Sequence, residues 1–194
     1  MGFWRRLSKL GERESPTSSA SVDPQAFMSV TRAAKFGLDG LLPGDIRRIH
    51  DASGPSDDAP PPPLPGRRTD YRIIDLPGGW GRTVVGSEFD ETVEALPLGA
   101  VLVTLRLEPN EANRYGISAY IHGRQVGYLS TQWNARDPWV KFITKLDKAS
   151  ILPRFIGVHG VSNSGHRDIS FDVPGRDDDP LPTIANRLIK DAAR

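Results

Sequence analysis

The chain has 194 residues, a formal net charge of +1 and no cysteine. Without cysteine, disulfides and thiolate metal sites are excluded, and nothing indicates an oxidising compartment. Its 17 prolines and 19 glycines predict one modest domain with extensions. A cytoplasmic location is expected, because Gly11 to Gln25 is polar where a signal peptide needs an apolar core, and no run reaches membrane-spanning length.

Charge is unevenly distributed along the chain. Residues 1–50 carry eight basic and five acidic groups, residues 51–100 carry four and nine, and residues 101–150 carry seven and four. Since the net charge is close to zero, any argument about a charged partner has to be local.

The first 66 residues predict an arm of short helices and linkers. Residues 2–10 form a basic amphipathic segment that could lie on a membrane surface, dock on a partner or, as favoured here, pack on its own domain. Residues 12–22 are rich in Ser, Thr and Pro and predict a disordered linker. Helices are predicted after Asp23 and after Pro43, and these two either pack on the rest of the protein or form a mobile hairpin.

Residues 51–66 predict a second linker that ends in the proline run from Pro60 to Pro65. Such a run favours the extended polyproline conformation and acts as a semi-rigid spacer. Pro62 to Arg67 also has the PxxP form that SH3-type grooves bind, although a spacer is the favoured interpretation.

Strand-length apolar runs follow this linker. After Tyr71 to Leu76, the runs Val84-Val85, Val101 to Leu107 and Ile117 to Ile121 are separated by Gly, Pro or Asn, which predicts consecutive antiparallel strands. Beyond them, Ile151 to Val158 and Asp168 to Val173 predict two more strands.

Two helices are predicted in the second half of the chain. Asp137-Pro138 provides a cap and first turn for the first of them. One face of this helix is apolar, with Trp139, Phe142, Ile143 and Leu146, and the other carries Lys141, Lys145 and Lys148. The apolar face is expected to plug a barrel formed by the predicted strands. A last helix is predicted from Leu181 to Ala193.

The central stretch resembles a known family. The order Val-Val-Gly, an acidic loop, Pro-Leu-Gly, then Arg106-Leu-Glu-Pro-Asn110 and Gly123-Arg-Gln-Val-Gly-Tyr-Leu129 is similar to the HIRAN domain. The resemblance implies a small DNA-binding β-barrel akin to oligonucleotide-binding folds. The expected fold is therefore mainly β with capping helices, as a HIRAN-like antiparallel barrel over residues 67–175. It follows the arm of residues 1–66 and precedes an acidic turn and helix in residues 176–194.

This sequence departs from the family at two loops. Where DNA-binding members place a basic-aromatic pair after Val-Val-Gly, this chain has Glu88-Phe89, so an acid would face a phosphate. The loop from Glu111 to Tyr115 is one residue shorter, which puts Ala112 and Asn113 near the family's Tyr-Asp positions. The resemblance therefore implies the fold more than the capture of a DNA 3′ end.

No pattern for catalysis, a metal or a cofactor is found. The four histidines show no spacing typical of metal or hydrolase sites. His122 is interpreted as a hairpin-turn residue. His159 and His166 bracket a loop and could face solvent together, but two imidazoles without a nearby carboxylate pattern do not indicate a site. The acidic residues Glu88, Asp90, Glu91 and Glu94 are expected to keep a loop soluble.

The favoured hypothesis is a non-enzymatic module that binds single-stranded nucleic acid or DNA ends with low sequence specificity. Single strands are held by aromatic faces that stack on bases and by basic groups that contact phosphates. The candidate residues are Phe89, Asn113, Arg114, Tyr115, Trp133, Arg136 and Lys141, with Arg124 as a further phosphate contact. The alternative is a protein-interaction module that docks a larger partner and binds no nucleic acid.

Overall fold

The computed structural model of the protein describes most of the chain from residue 41 onward. The described residues are Gln25, Met28 and residues 41–42, 44–53, 59–64, 69–76, 78, 80–109, 113–130, 135–162, 165–174 and 180–193. The described strands are β1 (Arg72–Leu76), β2 (Trp80–Val85), β3 (Gly99–Leu107), β4 (Ile117–Ile121), β5 (Arg124–Leu129), β6 (Ile151–Val161) and β7 (Arg167–Val173). The helices are α1 (Asp45–Ser53), α2 (Asp90–Ala95), α3 (Pro138–Lys148) and α4 (Leu181–Ala192), with a 3-10 turn at Ser87–Phe89.

Six of the strands close into an antiparallel barrel. The sheet order is β1-β6-β3-β4-β5-β2-β7, and an additional pairing between β6 and β7 closes the ring. β1 lies outside the ring and pairs in parallel with β6, from Arg72 opposite Ile151 to Leu76 opposite Phe155. The mainly β barrel with capping helices that the sequence predicts is therefore confirmed.

Alternation along β3 shows how the sequence builds the barrel interior. Val101, Val103 and Leu105 are at most 1% exposed and belong to the main hydrophobic core. Since neighbouring side chains on a strand point to opposite faces, Thr104 and Arg106 point away from that core. β4 follows the same rule, with Ala119 inside the barrel.

Gly127 of β5 lies where the backbone leaves no space for a side chain. Its φ is +147°, and a Cβ atom there would come within 2.4 Å of Val84 Cγ1 and 2.6 Å of the Val85 carbonyl oxygen. Glycine is therefore required for β2 and β5 to approach each other at this point.

The strand pairing differs from the expected row of consecutive antiparallel strands. β2 does not pair with β3: its first four residues pair with β7, and Val84 and Val85 pair with Leu129 and Tyr128 of β5. The acidic residues between β2 and β3 form α2 instead of the predicted loop. Pairing partners are set by barrel closure, which the local apolar pattern does not encode.

The helix α3 has the cap and the buried face that the sequence predicts. The Asp137 Oδ1 atom accepts hydrogen bonds from the backbone N–H groups of Trp139 at 2.7 Å and Val140 at 3.3 Å. Pro138 occupies the first turn, where its missing N–H group has no cost. The residues predicted for the apolar face are all buried in the main core, which Ile184 and Ala185 of α4 also join.

The described part of the N-terminal arm contacts the barrel through α1 and through residues 59–64. Ile46 and Ile49 of α1 form a small buried cluster with Val158 of β6, so α1 packs on the outside of the barrel. Residues 59–64, here called the strap, also lie on the barrel, with Pro61 buried. The interpretation of this proline run as part of a free spacer is therefore wrong. The predicted amphipathic segment of residues 2–10 and the linker of residues 12–22 lie outside the described residues.

Candidate binding face

One outward-facing surface of the barrel brings together several of the chemically interesting side chains. It is formed by β3, β4 and β5 and is here called the outer face, comprising Thr104, Arg106, Ser118, Tyr120 and Tyr128. The register places Arg106 opposite Ser118 and Thr104 opposite Tyr120. Ser118 also lies opposite Tyr128. The four residues from β3 and β4 are no more than 5% exposed, although they point away from the core.

Phe89 lies at one end of the outer face. Its ring packs edge-on against Tyr128, with 5.4 Å between ring centroids and an angle of 75° between the rings. Both side chains are half-buried. Gly86, with φ of +134°, lies beneath them, because a Cβ atom there would be 3.2 Å from Phe89 Cδ2 and 3.5 Å from Tyr128 Cδ2. Phe89 is thus a partly accessible aromatic surface held by a glycine turn.

The charge around Phe89 is acidic. Glu88, Asp90, Glu91 and Glu94 are all exposed. A Cβ atom added to Gly86 would lie 3.3 Å from Glu88 Oε2, so this carboxylate lies over the same turn as the Phe89 ring. Carboxylates at this position repel an anionic ligand, and the repulsion is strongest at low salt.

The β3–β4 loop contains three further predicted residues. Asn113 Oδ1 accepts a hydrogen bond from the Tyr115 backbone N–H group at 2.9 Å, which fixes the turn. Tyr115 is half-buried and packs against the main core, while Arg114 is exposed. The role of Asn113 in the structure is therefore to shape the loop, and Arg114 is the exposed cation of this group.

The remaining predicted residues are more scattered. Lys141 is exposed on α3, a helix whose main contacts are with α4, β6 and β3. Arg136 is exposed in the turn before α3, and Arg124 is exposed at the start of β5. Trp133 lies outside the described residues. The structure groups Phe89 with Tyr128 and Asn113 with Tyr115, and it places Arg136 and Lys141 before and on α3.

Sequence reasoning did not identify the Arg106 cluster. Arg106 is 3% exposed and makes hydrogen bonds to three groups: Glu108 Oε1 from Nε at 2.5 Å, the Tyr120 hydroxyl from Nη2 at 2.8 Å, and the Pro62 carbonyl oxygen from Nη1 at 2.5 Å. The Tyr120 hydroxyl in turn donates to Glu108. Burial and the neighbouring Glu108 carboxylate raise the pKa of Tyr120, so it stays a neutral donor.

One signal for this cluster was present in the sequence. Arg106 lies on a predicted strand and Glu108 comes directly after its end, two residues away, so the strand alternation directs both to the face opposite the apolar residues. A buried guanidinium requires hydrogen-bond partners, and the strap provides one of them. That partner is 44 residues away in sequence, so a local pattern could not reveal it.

His159 is buried and does not face solvent, although its position beside a loop made exposure possible. It is 0% exposed, and Nδ1 donates to the Pro97 carbonyl oxygen at 3.1 Å. Burial lowers the pKa of His159, so the imidazole is neutral at pH 7. His166 is exposed, so the two histidines do not face solvent together. His122 does occupy the β4–β5 hairpin turn, with φ of +50°.

A cleft of about 420 Å³ lies beside the outer face, between the end of β2, the helix α2 and the start of β7. Asp90, Glu94 and Asp168 are among its lining residues, together with His166 and Arg167. The Arg167 guanidinium donates to the backbone oxygen of Glu94. Carboxylates outnumber cations here, and among the described residues that line the cleft there is no Phe, Tyr or Trp. The cleft therefore does not have the chemistry that holds a base and its phosphate.

Within the described part of the chain, no group of three or more His, Cys, Asp or Glu residues could hold a metal ion. None of the helices in that part combines the length and apolar character needed to cross a membrane.

The fold and this face define a closed six-stranded antiparallel barrel with a half-buried aromatic pair outside it. No family model, curated protein or solved structure matches the chain. Membership of the HIRAN family therefore stays a prediction from the residues that resemble it.

Proposed function

We propose that this protein is a non-enzymatic module that binds single-stranded nucleic acid or a nucleic-acid end, with low sequence specificity. The supporting observation is the Phe89–Tyr128 pair, which offers a partly accessible aromatic surface on the outside of a β-barrel. Stacking of a base on such a surface tolerates any sequence, because every base has a π-face. A nucleic-acid ligand also fits the cytoplasmic location expected from the sequence.

The charged side chains around Phe89 limit the possible path of the sugar-phosphate backbone of a bound strand. Glu88 and the exposed acids of α2 disfavour a path on the α2 side of Phe89. Arg114 follows β3 and precedes β4, and the first residues of β4 lie opposite Tyr128 and Leu129 in the sheet. The backbone is therefore proposed to leave Phe89 towards the Arg114 loop. Because Glu88 lies beside this path and repels phosphates, the affinity for a single strand is expected to be weak at physiological salt.

The test is titration of a fluorescein-labelled single strand of mixed sequence at low salt, followed by anisotropy. Phe89→Ala is expected to weaken binding by roughly 1 to 3 kcal/mol at every salt concentration, because a stacking surface is lost. Arg114→Ala is expected to reduce the salt dependence, since one fewer counterion is released.

Glu88→Arg is expected to tighten binding, because it removes the anion that lies over Gly86 beside Phe89 and adds a phosphate contact. Glu91→Arg is the matched control, with the same charge change on the exposed side of α2, and its effect should be smaller. If wild type and Glu88→Arg both fail to bind at high micromolar concentration, the nucleic-acid proposal is wrong. Equal tightening by both substitutions would mean that only net charge matters.

A protein-interaction module is the second candidate, and one observation favours it. The four exposed acids around Phe89 give this aromatic surface a negative rim, which suits a basic protein surface better than a phosphate backbone. A partner recovered from cells in a salt-sensitive complex that Phe89→Ala abolishes, together with no oligonucleotide binding, would support this candidate.

A further inference from the structure

The strap has the pattern of a polyproline helix docked by one edge. Pro61 is buried and Leu64 is half-buried, whereas Ala59, Pro60, Pro62 and Pro63 are exposed. Burial thus recurs after three residues, which is the period of the polyproline II helix. One of the three edges of that helix faces the barrel, and the other two face solvent.

The barrel meets this edge with a fixed hydrogen-bond donor. Polyproline segments have no internal hydrogen bonds, so their carbonyl oxygens need outside donors. Arg106 Nη1 donates to the Pro62 carbonyl oxygen at 2.5 Å. The other hydrogen bonds of this guanidinium go to Glu108 and to the Tyr120 hydroxyl. They hold the guanidinium in one orientation, and so the donor is in place whether or not the strap is bound.

The Tyr120 ring and the glycine turn between β4 and β5 complete the surface around Arg106 on which the strap lies. The Arg106 guanidinium lies 4.6 Å from the centroid of the Tyr120 ring, a stacked arrangement that further restrains both side chains. At the β4–β5 turn, a Cβ atom on Gly123 would lie 2.9 Å from the Pro60 carbonyl oxygen. A side chain at Gly123 would therefore press on the strap, and φ of +72° there also favours glycine.

We propose that Arg106, Glu108, Tyr120 and Gly123 form a polyproline-binding site, which the chain fills with its own strap. The ligand class is a proline-rich peptide in the polyproline II conformation, bound through one buried proline and the carbonyl oxygen of the next residue. Such a peptide in another polypeptide binds this site when the strap leaves it. This site is distinct from the aromatic pair proposed for nucleic acid, and it does not depend on that function.

The strap competes strongly with a free peptide for this site, because the strap is tethered to the barrel in the same chain. A tethered ligand reaches an effective concentration on the order of millimolar, so a free peptide meets a site that is already mostly occupied. Weakening the strap should therefore expose the site to a free peptide, with an apparent affinity at least about tenfold higher than in wild type.

The experiment uses the full chain with Pro60→Ser and Pro61→Ser and a fluorescein-labelled peptide of sequence APPPPLPG, which begins at residue 59. The peptide should bind the double variant saturably and bind wild type at least about tenfold more weakly. A peptide with serine in place of its Pro61 should lose most of this binding. A matched peptide with serine in place of its exposed Pro63 should bind within about twofold of the original, since that residue faces solvent.

A substitution on the barrel tests the donor itself. Arg106→Lys, added to the double variant, keeps the positive charge but removes the planar fork, and peptide binding should be lost. Thermal melting of each variant reports whether it is folded. Absence of saturable peptide binding to a cooperatively melting double variant would overturn the proposal. Equal binding of the two serine-containing peptides would overturn it as well.

A second measurement applies if the double variant does not fold. In wild type, millimolar APPPPLPG should displace part of the strap and shift the backbone NMR resonances of Gly123 and Tyr120, whereas the peptide with serine at its Pro61 should not. Resonances that stay unchanged at about 10 mM peptide, well above the expected effective concentration of the strap, would reject the site.

Discussion

Two described segments of the N-terminal part, α1 and the strap, pack on the barrel, and their contacts differ in chemistry. Helix α1 packs Ile46 and Ile49 on Val158, an apolar contact with little directional demand. The strap instead meets the outer face through Arg106 and a backbone carbonyl. An apolar contact tolerates small shifts, whereas a fixed donor requires one register. The strap contact therefore depends more strongly on the register of the bound segment, whereas α1 buries apolar surface of the barrel without such a requirement.

The same difference decides which contact can be exchanged. Removing α1 would expose Val158 of β6, which is fully buried in the protein. Removing the strap would uncover polar groups that water can hydrate, with Arg106 still paired to Glu108. We therefore expect the strap to be the replaceable contact, and three substitutions examine this difference in order of decreasing effect.

The largest effect is expected for Arg106→Met. This change leaves Glu108, only 14% exposed, without its guanidinium partner and leaves the Pro62 carbonyl oxygen without its donor. The free energy of unfolding should fall by about 3 to 4 kcal/mol in chemical denaturation. Arg154→Met is the control, because its partner Asp75 is 69% exposed and that loss should be under about 1 kcal/mol. Similar losses for both variants would show that the Arg106 cluster contributes no more than a surface ion pair.

Ile49→Ala examines the helix contact. Ile49 is 0% exposed, and its truncation should lower the free energy of unfolding by about 2 to 3 kcal/mol. Leu42→Ala is the control, since Leu42 is 54% exposed and should change stability by less than about 0.5 kcal/mol. If the two changes have the same small effect, α1 does not stabilise the barrel.

Asp172→Asn examines a polar group on the outside of the barrel near α1. Asp172 is 1% exposed, its Oδ2 atom has no hydrogen-bond partner, and burial raises its pKa to about 6. Arg47 opposes this shift, and Asp45 adds to it. Because the folded-state pKa lies above the unfolded value of 3.8, the protonated group stabilises the fold at low pH. That stability is lost as pH rises through about 6.

Wild type should therefore lose about 2 kcal/mol of stability from this group between pH 4 and pH 7, and Asp172→Asn should lose less. Denaturant unfolding at several pH values measures the difference. Asp191→Asn, at an exposed carboxyl near the end of α4, is the control and should keep the wild-type slope. An unchanged slope in Asp172→Asn would mean that its carboxyl group is already hydrated in the folded protein.

The sequence alone determined the elements whose signals are local. The described strands other than β5, with only the end of β2, followed from runs of apolar residues between turn formers. Helix α3 followed from Asp137-Pro138 and an apolar face at helical spacing. Each of these signals involves residues a few positions apart, because capping and periodic burial act within one element.

Only the tertiary structure decided which distant groups meet. Barrel closure paired β2 with β5 and β7 and buried His159, a burial that the sequence did not predict. The candidate site was predicted only in part, because Phe89 was foreseen as an accessible aromatic but its partner Tyr128 was not. Arg106 and Pro62 form a hydrogen bond although they are 44 residues apart in the sequence. A run of prolines has no polar and apolar alternation to show which edge is buried, and so its contact with the barrel is visible only in the folded chain.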